Sequence, residues 1–317
     1  MTRTSPMRIA LAAITFLGAA TGVTARADES APTVAHRTVS VDGLAIFYRE
    51  AGPPDAPAVL LLHGFPSSSF MYRNLIPALA RRYRVIAPDY PGFGQSEFPP
   101  TNRYTYTFEQ LARTMGRFTE VVGARRYALY IQDYGAPIGL RMALAHPERV
   151  TALIVQNGNA YVEGLSSGWD ALRAYWQAPT AHHREGLRGW LTSEGIRQQY
   201  VAGVPEHLLE RFSPDTWTLD WSLLQRPGSI DVQLDLFGDY QHNVALYPRF
   251  QQMFRERQFP TLIVWGRHDV FFTLAGAEAY RRDLPKAELH LLDAGHFALE
   301  THAADIAATM LGFLARQ

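Results

Sequence analysis

The sequence predicts an α/β fold: a doubly wound, mostly parallel sheet with a helical lid inserted after the sixth strand. Three observations carry this. Short apolar runs have the continuity of strands buried on both faces of a parallel sheet. Helical patterns alternate with them. One long block, from Tyr161 to Arg257, contains no convincing strand.

The runs that read as strands are Val39 to Tyr48, Ala58 to Leu62, Arg84 to Ala87, Tyr127 to Ile131, Ala152 to Gln156, Thr261 to Trp265 and Glu288 to Leu292. Helical patterns cover Tyr72 to Arg81, Thr107 to Val122, Pro137 to Ala145 and Leu274 to Asp283. Within Tyr161 to Arg257, Trp and Tyr residues are scattered through helical patterns broken at Pro179, Pro205, Pro214 and Pro227-Gly228. That block is expected to cover the C-terminal edge of the sheet, where open α/β folds bind their ligands. The expected organisation is a core of residues 28–160 and 258–317 with a lid of residues 161–257.

The first 27 residues read as a signal peptide: Arg3 and Arg8, an apolar run from Ile9 to Val23, and an A-x-A site at Ala25-Arg26-Ala27. A mature chain starting near Asp28, periplasmic or secreted, is the expectation. The apolar run is shorter than the roughly 20 residues a membrane-spanning helix needs. No later stretch qualifies, so no span is expected after cleavage.

The 317 residues are 47% hydrophobic and 19% charged, enough apolar material for a large core. Thirty basic residues balance thirty acidic ones, which gives no electrostatic reason for a nucleic-acid partner. A small apolar substrate and water fit better. There is no cysteine, so disulfides, thiolate nucleophiles and Cys-based metal sites are excluded. No cofactor or metal is expected: His182-His183 lacks a companion ligand motif. Oligomeric state is not legible.

The chemistry begins at Gln132-Asp133-Tyr134-Gly135-Ala136, between a strand and a helix. This is the pattern of a nucleophile elbow, a tight turn holding its central side chain exposed above the sheet, here Asp133. An aspartate there also suits a helix cap. Asp269 and His296 follow at the ends of later strands, in the chain order nucleophile, acid, histidine. The loop His63-Gly64-Phe65-Pro66 would place the Phe65 N–H, with that of Tyr134, as an oxyanion hole.

These motifs, with RVIAPDYPGFGQS from Arg84 to Ser96, His146-Pro147-Glu148-Arg149-Val150 and Gly295-His296, resemble the α/β-hydrolase branch that contains epoxide hydrolases and haloalkane dehalogenases. The resemblance covers the whole chain after the leader. A carboxylate attacking an sp³ carbon forms an ordinary ester, whereas attack on an acyl carbon would form an anhydride. The expectation is therefore an aspartyl-ester intermediate, hydrolysed by water that His296 activates and Asp269 supports.

An epoxide leaves as an alkoxide and needs an acid, whereas a halide needs N–H donors. The resemblance implies two lid tyrosines as acids. Tyr175, in Tyr175-Trp176-Gln177-Ala178-Pro179, and Tyr240, in Asp239-Tyr240-Gln241-His242-Asn243, fit those places. Trp176 and Phe297 are candidate pocket residues. Epoxide hydrolysis to a vicinal diol is the leading expectation. Dehalogenation stays open, because Gln132 is similar to the Gln-Asp-Trp of some dehalogenases. A non-catalytic small-molecule-binding protein of this fold is the alternative from another class.

Overall fold

The computed structural model describes Met1, Thr2 and residues 32–317. The leader, its cleavage site and Asp28 lie outside the described residues.

The run Val39 to Tyr48 turns out to be parts of two strands. β1 (Ala35–Val41) and β2 (Leu44–Ala51) pair antiparallel through Asp42-Gly43, with φ of 48° and 81°. Two successive positive φ angles in an Asp-Gly loop match the right-handed twist of a tight hairpin. β3 (Ala58–Leu62), β4 (Arg84–Pro88), β5 (Tyr127–Gln132) and β6 (Val150–Gln156) follow the expected runs within two residues. After the helical stretch come β7 (Thr261–Gly266) and β8 (Glu288–Leu292). The sheet order is β1-β2-β4-β3-β5-β6-β7-β8, with β2 antiparallel to both β1 and β4 and the other pairs parallel.

Tyr72 to Arg81 is not one helix. Ser68 caps a separate 3₁₀ turn, Ser69–Tyr72, and α1 is only Leu75–Leu79. α2 (Phe108–Val121) starts after Thr107, whose hydroxyl accepts from the Gln110 N–H, and α3 (Gly135–Ala145) springs from the Asp133 turn. Between β6 and β7 the chain forms α4 (Asp170–Gln177), α5 (Ala181–Gly186), α6 (Ser193–Val201), α7 (Asp215–Leu224), α8 (Ser229–Asp239) and α9 (Gln241–Arg257). α10 (Leu274–Asp283) and α11 (Ala298–Leu314) flank β8.

Alternation along the strands separates two cores, one on each face of the sheet. Leu60, Leu62, Leu129, Ile131, Val155 and Ile263 pack with α2, α3 and α10, while Val59, Leu61, Tyr130, Ile154 and Val264 pack with α1 and α11. Clamping the sheet from both faces fixes the C-terminal strand ends, and the candidate residues project from three of them. Among the described residues no helix is long and apolar enough to cross a membrane.

Candidate active site

Asp133 follows β5 directly and has φ of +46°, a left-handed turn for a non-glycine residue. Two glycines make it possible. A Cβ on Gly64 would lie 2.3 Å from Asp133 Cβ, and one on Gly135 would lie 2.1 Å from the Leu62 carbonyl oxygen. The Asp133 N–H donates to the Asn157 carbonyl at 3.2 Å, which ties the turn to the end of β6.

The carboxylate is divided between two tasks. Oδ1 accepts the Phe65 N–H at 2.7 Å, and the Tyr134 N–H also bonds the carboxylate. Oδ2 faces His296 Nε2 at 3.8 Å. Burial raises the Asp133 carboxyl above its ordinary value, and the His296 charge and the two N–H bonds only partly offset this.

His296 is buried, and its Nδ1 lies 2.8 Å from Asp269 Oδ2. The Gln132 amide nitrogen meets His296 Nε2 at 3.0 Å. An acceptor on one side and a donor on the other fix the tautomer: Nδ1–H donates to Asp269, and Nε2 carries the lone pair that a general base needs. Burial lowers the imidazole pKa, but the Asp269 charge and hydrogen bond outweigh it and the net shift is upward. Asp269 is held in turn. Its Oδ1 accepts the N–H groups of Phe271 and Phe272 at 2.7 and 3.0 Å, and its Oδ2 accepts Asn157 Nδ2 at 2.8 Å.

Asn157 was missed in the sequence. It has φ of +42°, and its amide also accepts the Gly266 N–H at 3.0 Å, so this one residue joins the β5 end through its carbonyl and the β7 end through its side chain. The signal was available: Asn157-Gly158 directly after an apolar strand marks a special backbone position.

Asp133 opens onto a cavity of about 30 Å³, walled by Phe65, Tyr134, Trp169, Trp190, Phe237 and Tyr240. That is room for about two waters. The hydroxyls of Tyr134 and Tyr240 are buried, the first without a hydrogen-bond partner and the second with only the Tyr247 hydroxyl beside it. Burial holds both phenols well above their ordinary pKa, so both carry their protons at neutral pH.

Three expected residues are not in this wall, and each is corrected. Tyr175 is seated in the hollow left by Gly238 on α8, where a Cβ would stand 3.1 Å from its ring. It lines an outer groove with Pro179 and His242, and its hydroxyl bonds Arg184. Trp176 lines the same groove, and its indole N–H donates to the Phe237 carbonyl at 2.8 Å. Phe297 lies behind the histidine: its ring is 5.2 Å from that of His296 and stacks on Tyr200 at 4.0 Å.

The family described as alpha/beta hydrolase fold matches residues 57–303. An uncharacterized hydrolase of Saccharomyces cerevisiae is 44% identical over 284 residues, 88% of this chain and 97% of that protein. A haloalkane dehalogenase of Psychrobacter cryohalolentis is 37% identical over 165 residues, 51% of this chain and 48% of its own length. An epoxide hydrolase structure superposes with a TM-score of 0.70 at 19% identity, over 90% of this chain and 99% of its own, a likeness of fold alone.

The yeast relative corrects the expectation of a periplasmic or secreted protein, since the similarity that spans this chain leads to a eukaryotic hydrolase. That expectation rested on the charge and hydropathy of residues 3–27, which carry none of the site's pattern and lie outside the described residues.

Proposed function

The chain belongs to the α/β-hydrolase fold family, and from that premise we propose that it hydrolyses an epoxide to a vicinal diol through an ester on Asp133. One observation carries the choice of leaving group: two buried phenol hydroxyls, that of Tyr134 without a partner and that of Tyr240 beside the Tyr247 hydroxyl, belong to rings that line the Asp133 cavity. Asp133 Oδ2 attacks a ring carbon and the carbon–oxygen bond breaks. The departing oxygen takes a proton from Tyr240 while the Tyr134 hydroxyl donates a second hydrogen bond. This assigns to Tyr134 the place expected of Tyr175.

In the second half, His296 Nε2 takes a proton from a water that attacks the Asp133 carboxyl carbon. The oxyanion forms on Oδ1, already against the Phe65 and Tyr134 N–H groups. Collapse expels the diol oxygen, which takes the proton from His296; the water's second proton, left on the Asp133 carboxyl, is released to solvent while Tyr240 regains its own from solvent. The helices between β6 and β7 act as the lid, and a substrate enters when they part from the cavity.

A halide reading draws support from the dehalogenase relative and from Gln132. It lacks donors. The Trp169 and Trp176 indoles are spent on the carbonyls of Phe271 and Phe237, at 2.9 and 2.8 Å, and Phe65 has no side-chain N–H.

The test is the single-turnover rate of Asp133 ester formation with 1,2-epoxybutane. Tyr240→Phe should slow it by about 10²-fold or more, and the double change with Tyr134→Phe further. Alkylation at the parent rate in the double variant would move the halide reading ahead.

A further inference from the structure

The wall of the cavity is aromatic almost throughout, and Gln199 departs from it. It lies on α6 beside Tyr200, whose hydroxyl donates to Asp220 and whose ring stacks on Phe297 at 4.0 Å. Its helix is therefore anchored on both sides, and the side chain is placed rather than swinging free. Gln199 is 8% exposed and lines the cavity, and neither polar atom of its carboxamide is sealed from a partner. The amide is therefore open to bonding from the cavity side. Here it faces the same cavity as Asp133, where a substrate would lie.

We infer that Gln199 hydrogen-bonds a hydroxyl on the substrate, so that the preferred class is a short, uncharged epoxy alcohol. A carboxamide both donates and accepts, and so does a hydroxyl. No Lys or Arg lines the cavity to pair an anionic substituent, and the Asp133 carboxylate would repel one. An aromatic-walled cavity of about 30 Å³ favours short chains over bulky aryl or terpenoid groups. The inference rests on the epoxide reading of the site and extends it from the leaving group to the rest of the substrate.

Glycidol and 1,2-epoxybutane test it. They match in heavy-atom count and differ in a terminal hydroxyl against a terminal methyl. The parent should favour glycidol in kcat/KM by about tenfold or more, because a site built to bond a hydroxyl rejects the analogue lacking it. Gln199→Leu should collapse that ratio towards one. Gln199→Met serves as a second replacement of similar length. Because each variant is assayed with both epoxides, damage to the fold lowers both rates and leaves the ratio unmoved. A preference for glycidol that survives in both variants, or a parent with no preference, overturns the role of Gln199 and leaves the epoxide chemistry standing. Failure of the parent to form an Asp133 ester with either epoxide sinks the epoxide reading, and this inference with it.

Discussion

Asp133 opposes folding twice over, through a left-handed backbone and a buried carboxylate, and function is the reason to tolerate both. Asp133→Gly relieves each. It should abolish turnover yet raise stability by about 1 kcal/mol in urea denaturation, and a loss of stability would show that the turn is not strained. At His296 the proton balance decides a pH profile. In the proposed mechanism the imidazole serves as base only when neutral, and Asp269 holds its pKa above the ordinary value of 6.5. Ester hydrolysis should therefore fall as pH drops through that raised value. Asp269→Asn removes the charge, so the acid limb of ester decay should move to lower pH while the rate falls; an unmoved limb would mean that Asp269 only orients the ring. Asp133, Asp269 and His296 were legible because each sits at a strand end in a fixed order. Asn157 was not read as their support because its role is a set of bonds between strand ends, visible only once the strands are adjacent.

The turn between β5 and α3 is shaped by what its neighbours lack. With its Cβ 2.1 Å from the Leu62 carbonyl oxygen, Gly135→Ala must push α3 off the sheet. The expected loss is about 1–3 kcal/mol, read as a lower denaturation midpoint. Parent-like stability would show that the helix can shift freely. The same local logic explains what was legible among the elements. The parallel strands are continuously apolar and announce themselves. β1 and β2 fused into one expected strand because their alternation runs on across the turn, and only Asp42-Gly43 divides them. Tyr175 went astray for a different reason. Sequence spacing put a tyrosine in the right helix, but the seat for its ring is the gap at Gly238, some sixty residues away in the chain.

At the scale of the whole molecule, the helices between β6 and β7 meet the core around a buried acid. Asp220 of α7 is 2% exposed and accepts the Tyr200 hydroxyl on Oδ2, while its Oδ1 has no partner. Burial pushes its carboxyl up to about 7; Glu300 and Asp89 add to the rise, and the Tyr200 bond and Arg73 oppose it. Arg73 and Glu300 belong to the core, where they pair at 2.5 Å, so the charge state of Asp220 is set across the contact between the two parts. In the unfolded chain the same carboxyl titrates near 4. Between about 4 and 7 the folded state holds the proton more tightly, so the stability this group contributes is complete below 4 and is lost as pH rises through 7. Asp220→Asn keeps an acceptor for Tyr200 and removes the titration. Melting temperatures of parent and variant should run together near pH 4 and separate as pH rises, with the variant the more stable at pH 8. Parallel curves across that range would show that Asp220 stays ionised in the folded protein, and the contact between helices and core would then have to hold a buried negative charge through Arg73.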